Sequence, residues 1–266
     1  MAFILNKAEA FNLYCKVKKE RRALHNCPTL AIMQIGRRPI DDALVYDEIT
    51  KASEIGIACL YAHYPEHGLQ NAKATMAAWA SDPEVNGIIL HSSTEEQMQL
   101  EALIPVSKDV GGILENSPYT ACVNSSILTL LRRCQSSISE QHVVVVGCFT
   151  IVDRLLIDLL IRRGYVATFC HSEIDNLHIY TKQADVLIVT AGKPGSIVGN
   201  MIKPGSAVID AGFNYEGGKI VGAVDLKTVE ETARRIAPVG CTESIAIVSL
   251  MSNVLAAWKL QNEKVT

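Results

Sequence analysis

The chain has 266 residues, a mass of 29.0 kDa, 48% hydrophobic and 20% charged residues, and a formal net charge of −3. That length can bury a full core and suits one large or two modest domains, of which two are expected here. The charge balance lacks the basic excess that attracts nucleic acid or anionic lipid, so small-molecule chemistry is the default reading.

The N-terminal run Met1-Ala-Phe-Ile-Leu-Asn-Lys7 is too short and too mixed for a signal peptide. No later segment reads as the about 18 apolar residues of a membrane span. The sequence therefore predicts a cytoplasmic protein with neither a membrane nor a nucleic-acid partner. Its eight cysteines include no C-x-x-C pair, and most sit in apolar settings that suit reduced thiols. This argues against a metal or disulfide framework, and no metal ligands are assigned.

In chain order, a charged amphipathic helix is predicted from Lys7 to Leu24, a strand over Thr29 to Ile35, a helix near Ala43 to Ile55 and a strand over Cys59 to Tyr64. Val85 to Leu90 reads as a further strand. Thr94 to Leu103 reads as a helix with acids near its start, where they favour the macrodipole. Ser125 to Cys134 reads as a linking helix. From His142 strands and helices alternate again, giving a Rossmann-like unit that ends near Pro238. Val186 to Val189 and Ala207 to Ile209 each end in a small-residue turn supplied by Gly192, Gly195 and Gly212, as buried parallel strands with ligand approach at their carboxyl ends do. Ser244 to Gln261 reads as a closing helix. The expected fold is α/β with two domains, residues 1–122 plus 245–266 and residues 123–244.

The stretch from Ala184 to Gly212, taken with Gln141-His-Val-Val-Val-Val-Gly147 upstream and Lys219-Ile-Val-Gly-Ala-Val-Asp225 downstream, resembles the methylenetetrahydrofolate dehydrogenase/methenyltetrahydrofolate cyclohydrolase (FolD) family. The resemblance covers nearly the whole chain. It implies an N-terminal folate-type domain on which the last helix packs, a C-terminal NAD(P)-binding domain, a folate substrate, NAD or NADP as cofactor and a homodimer.

The family's first-domain motif is Tyr-x-x-x-Lys on one helix face; here it reads Tyr46-Asp-Glu-Ile-Thr50. The resemblance implies catalytic positions at Tyr46 and Thr50, with the tyrosine kept and the lysine of the cyclohydrolase step replaced. A hydroxyl cannot supply that lysine's charge or proton chemistry. The family's strand-end glutamine, which bonds the lysine, becomes His91 in Leu90-His91-Ser92-Ser93-Thr94. Its pterin-anchoring aspartate becomes Gly111 in Lys108-Asp109-Val110-Gly111-Gly112, and its Pro-Cys-Thr-Pro becomes Ala121-Cys122-Val123-Asn124.

In the second domain, Gly-Arg-Ser-x-x-x-Gly-x-Pro becomes Gly147-Cys148-Phe149-Thr150-Ile151-Val152-Asp153-Arg154-Leu155. The resemblance places the cofactor against Gly147, Cys148, His171, Ser172, Ala191, Gly192 and Gly212. Cys148 replaces an arginine that serves the extra phosphate of NADP, and Asp153 is expected to bring a repelling carboxylate near the cofactor phosphates.

Each residue has a plainer role beside the functional one. Tyr46 can be a packed helix tyrosine, His91 a hydrogen-bonded structural histidine, and Cys122 and Cys148 small inert hydrophobes. Three functions stay open: a folate dehydrogenase of the resembled family with cyclohydrolase activity lost, a non-catalytic binding or regulatory paralogue, and a dinucleotide enzyme with another substrate.

Overall fold

A computed structural model describes residues 2–92, 97–134 and 141–262. The first half contains β1 (Phe3–Ile4), α1 (Ala8–Arg22), β2 (Thr29–Ile35), α2 (Pro39–Ile55), β3 (Ala58–Tyr64), α3 (Leu69–Ser81), β4 (Gly87–Ser92), α4 (Gln97–Glu101) and α5 (Cys122–Cys134). There follow β5 (His142–Gly147), α6 (Ile151–Arg162), β6 (Val166–His171), α7 (His178–Thr181), β7 (Val186–Val189) and β8 (Ala207–Asp210). The chain closes with β9 (Asn214–Glu216), β10 (Lys219–Val221), α8 (Leu226–Val229), β11 (Arg235–Ala237) and α9 (Val239–Asn262). Ser93 and the helix start expected at Thr94 lie outside the described residues.

Phe11–Cys122 and the chain from Ile247 form one compact unit. Its sheet is parallel, in the order β3-β2-β4. β2 is apolar at nearly every position because both of its faces are covered, as in buried parallel strands. Ala31, Met33 and Ile35 face Ala72 and Met76 of α3. Leu30 and Ile32 face Val45, Ala52 and Ile55 of α2, Val17 of α1 and Val248 to Leu255 of α9. Helix α2 starts with Pro39 in its first turn, where a missing N–H costs nothing. It ends at Gly56, whose φ of 92° lets its N–H reach back to the carbonyls of Ala52 and Ser53.

The chain up to Ala10, with Val123–Ala246, forms the other unit. Its six-stranded sheet is parallel throughout, in the order β1-β11-β8-β7-β5-β6. The strands ending at Gly147, Val189 and Asp210 therefore share one sheet. The first residues join it because Phe3 and Ile4 pair with Arg235 and Ile236. A two-residue edge strand carries no periodicity, so the sequence gives no sign of it.

Helix α9 corrects one expectation. By length and composition it could cross a membrane, with a mean hydropathy of 1.5, but 61% of its apolar window is buried in the protein. Val248, Leu250, Met251, Val254, Leu255 and Ala257 belong to the core, so its apolarity is used in packing.

Candidate functional site

The buried residues of α2 are Asp41, Val45, Glu48, Ala52 and Ile55, a spacing of four, three, four and three that marks one helix face. Glu48 thus lies in the middle of the stripe that packs on the sheet. On β4, side chains alternate: Ile88 and Leu90 join the α3 side of the sheet, while Ile89 packs on the α2 side. His91 follows Ile89 by two and faces α2. Glu48 Oε2 and His91 Nε2 are 2.8 Å apart, with side chains 7% and 12% exposed.

This pairing differs from the one the sequence motif suggests. The resemblance joins the strand-end position to the helix residue four beyond Tyr46, yet the partner of His91 is Glu48, two residues before Thr50. At about 100° per residue, two residues turn a side chain about 200° around the helix. Thr50 is accordingly exposed, and Tyr46 is 70% exposed. Sequence reasoning missed Glu48, although its place in the Val45-Glu48-Ala52-Ile55 stripe is a readable signal: a carboxylate at a core position needs a partner.

Burial opposes charge on the His91 ring, but the charge and hydrogen bond of Glu48, helped by Asp41, outweigh it and raise the imidazole pKa. Asp41 is itself held by Arg38 through two bonds of 2.7 and 2.8 Å. Beside His91 in register on β2 lies Gln34, wholly buried, donating to Asp42 Oδ1 at 2.8 Å and accepting from Tyr61 at 2.7 Å. The carboxyl ends of β2 and β4 therefore present neighbouring polar groups beneath α2, the end of a parallel sheet where ligands bind.

Asp109 is structural. It is fully buried and accepts from the backbone N–H groups of Ile113 and Leu114 at 3.3 and 2.9 Å. Gly111 is a different case. A Cβ built there meets nothing nearer than Asp109 Oδ1 at 3.7 Å, so the position has room for the side chain it lacks. Burial pushes the Cys122 thiol up, as do the charges of Glu48 and Asp109, which leaves it protonated and inert.

In the other unit, β5 lies between β6 and β7, and chain direction across the sheet reverses there. Such a switch point opens a crevice at the strands' carboxyl ends. Two cavities occupy this edge. One of about 560 Å³ is lined by Cys148, Ser172, Gly192, Lys193 and Asn214 among others. The second, of about 620 Å³, is lined by Ser172, Asn176, His178, Lys182, Ala191 and Asn200 among others. Both fall in the usual range of small-molecule sites, about 300–1,000 Å³.

The turns at this edge place the expected residues. Gly147 must be glycine, since a Cβ would collide with the Thr190 hydroxyl. Its carbonyl accepts from Ser172 N at 2.8 Å, and Ser172 Oγ is 3.7 Å from Cys148 Sγ. His171 is exposed at the end of β6 and takes the N–H of Glu173 on Nδ1. Ala191 N reaches Val146 O at 3.4 Å, and Gly192 O accepts from Asn214 at 3.0 Å. Gly212 N donates to Asp210 Oδ1 at 3.0 Å.

Asp153 departs from expectation. It is 3% exposed, and its oxygens accept from Thr150 N at 2.9 Å and from Thr190 Oγ1 at 2.6 Å. With Thr150 Oγ1 taking Asp153 N, it completes a capping box at the start of α6. Its charge is spent on the helix N-terminus and does not face the crevice. Phe149 is the outlier of this turn, at φ 57° and 57% exposed, with Phe169 5.1 Å away between ring centroids.

The doubly wound sheet, its switch-point crevice and its glycine-closed turns define a nucleotide-binding α/β protein. The family described as tetrahydrofolate dehydrogenase/cyclohydrolase, NAD(P)-binding domain, matches residues 121–262. The bifunctional protein FolD of Methanospirillum hungatei is 34% identical over 241 residues, 85% of this chain and 86% of that protein. The FolD of Halalkalibacterium halodurans is 30% identical over 246 residues, 87% and 88% of the two chains. A crystal structure of the bifunctional enzyme FolD from Campylobacter jejuni superposes with a TM-score of 0.85 at 26% identity, over 98% of this chain and 99% of that one. The Trypanosoma brucei enzyme, solved with NADP and an inhibitor, shares the fold at a TM-score of 0.88 and 21% identity, over 97% and 98%. The chain belongs to the tetrahydrofolate dehydrogenase/cyclohydrolase family.

Proposed function

We propose that this protein is an NAD(P)-dependent methylenetetrahydrofolate dehydrogenase of one-carbon metabolism in which cyclohydrolase activity is lost. The observation that carries the reading is the Glu48–His91 pair. The helix residue that meets the strand end is a carboxylate, where the family's hydrolytic step uses a lysine. A carboxylate bonded to imidazole supplies neither the ammonium charge nor its proton. The pterin anchor is also missing at Gly111, a loss of charge-assisted bonds of about 1.5–3 kcal/mol each.

The crevice fits a dinucleotide by its position, its volumes and the close turn at Gly147. Gly147, Cys148, Ser172, Ala191, Gly192 and Gly212 would hold it, with His171 at the rim. When bound, it supplies the hydride acceptor. The chain's own part is to bind and orient: hydride transfer depends on positioning and does not need the lysine. With cysteine in the arginine's place, NAD is preferred to NADP. Tyr46, Thr50 and Gly111 are family positions on the folate side and carry no charge. A cytoplasmic homodimer completes the proposal.

A second reading, a non-catalytic binding paralogue, is favoured by the turn after β5. There Cys148 stands in the family's arginine position and only Gly147 of the turn's glycines remains. Thermal-shift titration of the full chain with NAD, NADP and tetrahydrofolate separates the readings. Stabilisation by a folate and a dinucleotide supports the dehydrogenase, by a folate alone the binding paralogue, and by a dinucleotide alone an enzyme with another substrate.

A further inference from the structure

Glu48 is a buried carboxylate in an apolar helix stripe, at the ligand-binding end of a parallel sheet, bonded to one titratable ring. Taking such a charge out of water is costly, and an apolar side chain would fill the stripe without that cost. The groups facing the pair are few. Asp41 is tied to Arg38. Cys59 of β3 is pushed up to about 11 by burial and by Glu48, and the Cys122 thiol is raised as well, so both stay protonated. His91 and Glu48 share one hydrogen-bonded proton.

We propose that Glu48 is a specificity-determining residue that selects a cationic ligand, an N–CH–N bridge carrying delocalised positive charge, over its neutral counterpart, and that His91 gives up its proton when that cation binds. The inference rests on the folate reading above, because oxidation of a methylene group between two nitrogens yields such a cation. Two cations share Glu48 in turn. Without ligand, the imidazolium satisfies the carboxylate. As a ligand cation approaches, its repulsion lowers the imidazole's proton affinity, and the carboxylate passes to the ligand. The site would therefore hold the oxidised bridge and keep it from water.

Calorimetry on the full chain tests this, using 5,10-methenyltetrahydrofolate as the cationic probe and 5,10-methylenetetrahydrofolate as the neutral one, in buffers of differing ionisation enthalpy. The wild type is expected to bind the cation at least about tenfold more tightly, a modest fraction of the attraction between charges a few ångströms apart. It should release a proton only with the cation. Glu48→Gln should abolish the preference, Glu48→Asp should retain it, and His91→Gln should abolish the proton release. A purely structural pair would move neither readout. Equal affinity for the two probes, or a preference that survives Glu48→Gln, overturns the inference and leaves the dehydrogenase reading standing. Binding of neither probe overturns both.

Discussion

Glu48 Oε2 lies 2.8 Å from His91 Nε2, joining the middle of α2 to the carboxyl end of β4 with both side chains almost out of solvent. The energetics of this bond can be read from pH. The His91 pKa is raised above its ordinary 6.5. The pair's contribution is thus fully present below pH 6.5 and is lost as pH rises through the folded-state value. Glu48→Gln should cost about 1–3 kcal/mol at the acid end of this window. The gap between variant and wild type should close at higher pH. Urea unfolding across a pH series checks this, and a gap that widens with pH contradicts it.

Asp210 sets a second pH dependence. It is 1% exposed and accepts from the N–H groups of Gly212, Ala223 and Val224, and burial pushes its carboxyl up to about 6 despite them. A folded value above the unfolded one favours the protonated form, so its contribution falls as pH rises from 3.8 to about 6. Asp210→Asn should flatten that slope. It should also cost about 1–3 kcal/mol near pH 4 by turning an amide N–H toward backbone donors. Thermal unfolding against pH measures both effects.

Asp153→Ala should destabilise the nucleotide-binding unit by about 1–2 kcal/mol, the usual worth of a helix cap, and leave the Thr190 hydroxyl only its longer bond to Val146 O, at 3.2 Å. Because the carboxylate faces the helix rather than the crevice, the change should raise NAD affinity by less than about threefold, under 1 kcal/mol. Denaturation and NAD titration on one sample test the two parts separately.

Gly111→Asp should fold, since the position has space and no left-handed backbone, although Asp109 lies close enough to repel it weakly. It should strengthen tetrahydrofolate binding by about tenfold, the lower end of one charge-assisted bond. Unchanged affinity in calorimetry would show that the pterin edge does not reach this loop.

Much of the fold is legible in the sequence because long apolar strands and glycine turns are local signals. Thr29 to Ile35 and Val186 to Val189 match the structure residue for residue. Strand β1 is not legible, since only pairing with Arg235 and Ile236 of β11 makes Phe3 and Ile4 a strand. The folate-side site is half legible. Reading Tyr46 as a motif anchor fixes a register that points Thr50 inward, whereas the burial stripe points Glu48 inward. Burial decides, because the helix must cover Leu30 and Ile32. Asp153 shows the same limit in reverse: its charge is visible in the sequence, but its hydrogen bonds to Thr150 and Thr190 are not.

The most direct measurement assays both reactions on one preparation, following nicotinamide reduction with 5,10-methylenetetrahydrofolate and hydrolysis of 5,10-methenyltetrahydrofolate. The account predicts folate-dependent reduction of NAD, hydrolysis no faster than in buffer, and no gain of hydrolysis in Thr50→Lys, whose side chain lies on the exposed face. Enzyme-dependent hydrolysis in the wild type that disappears in Glu48→Gln would contradict it.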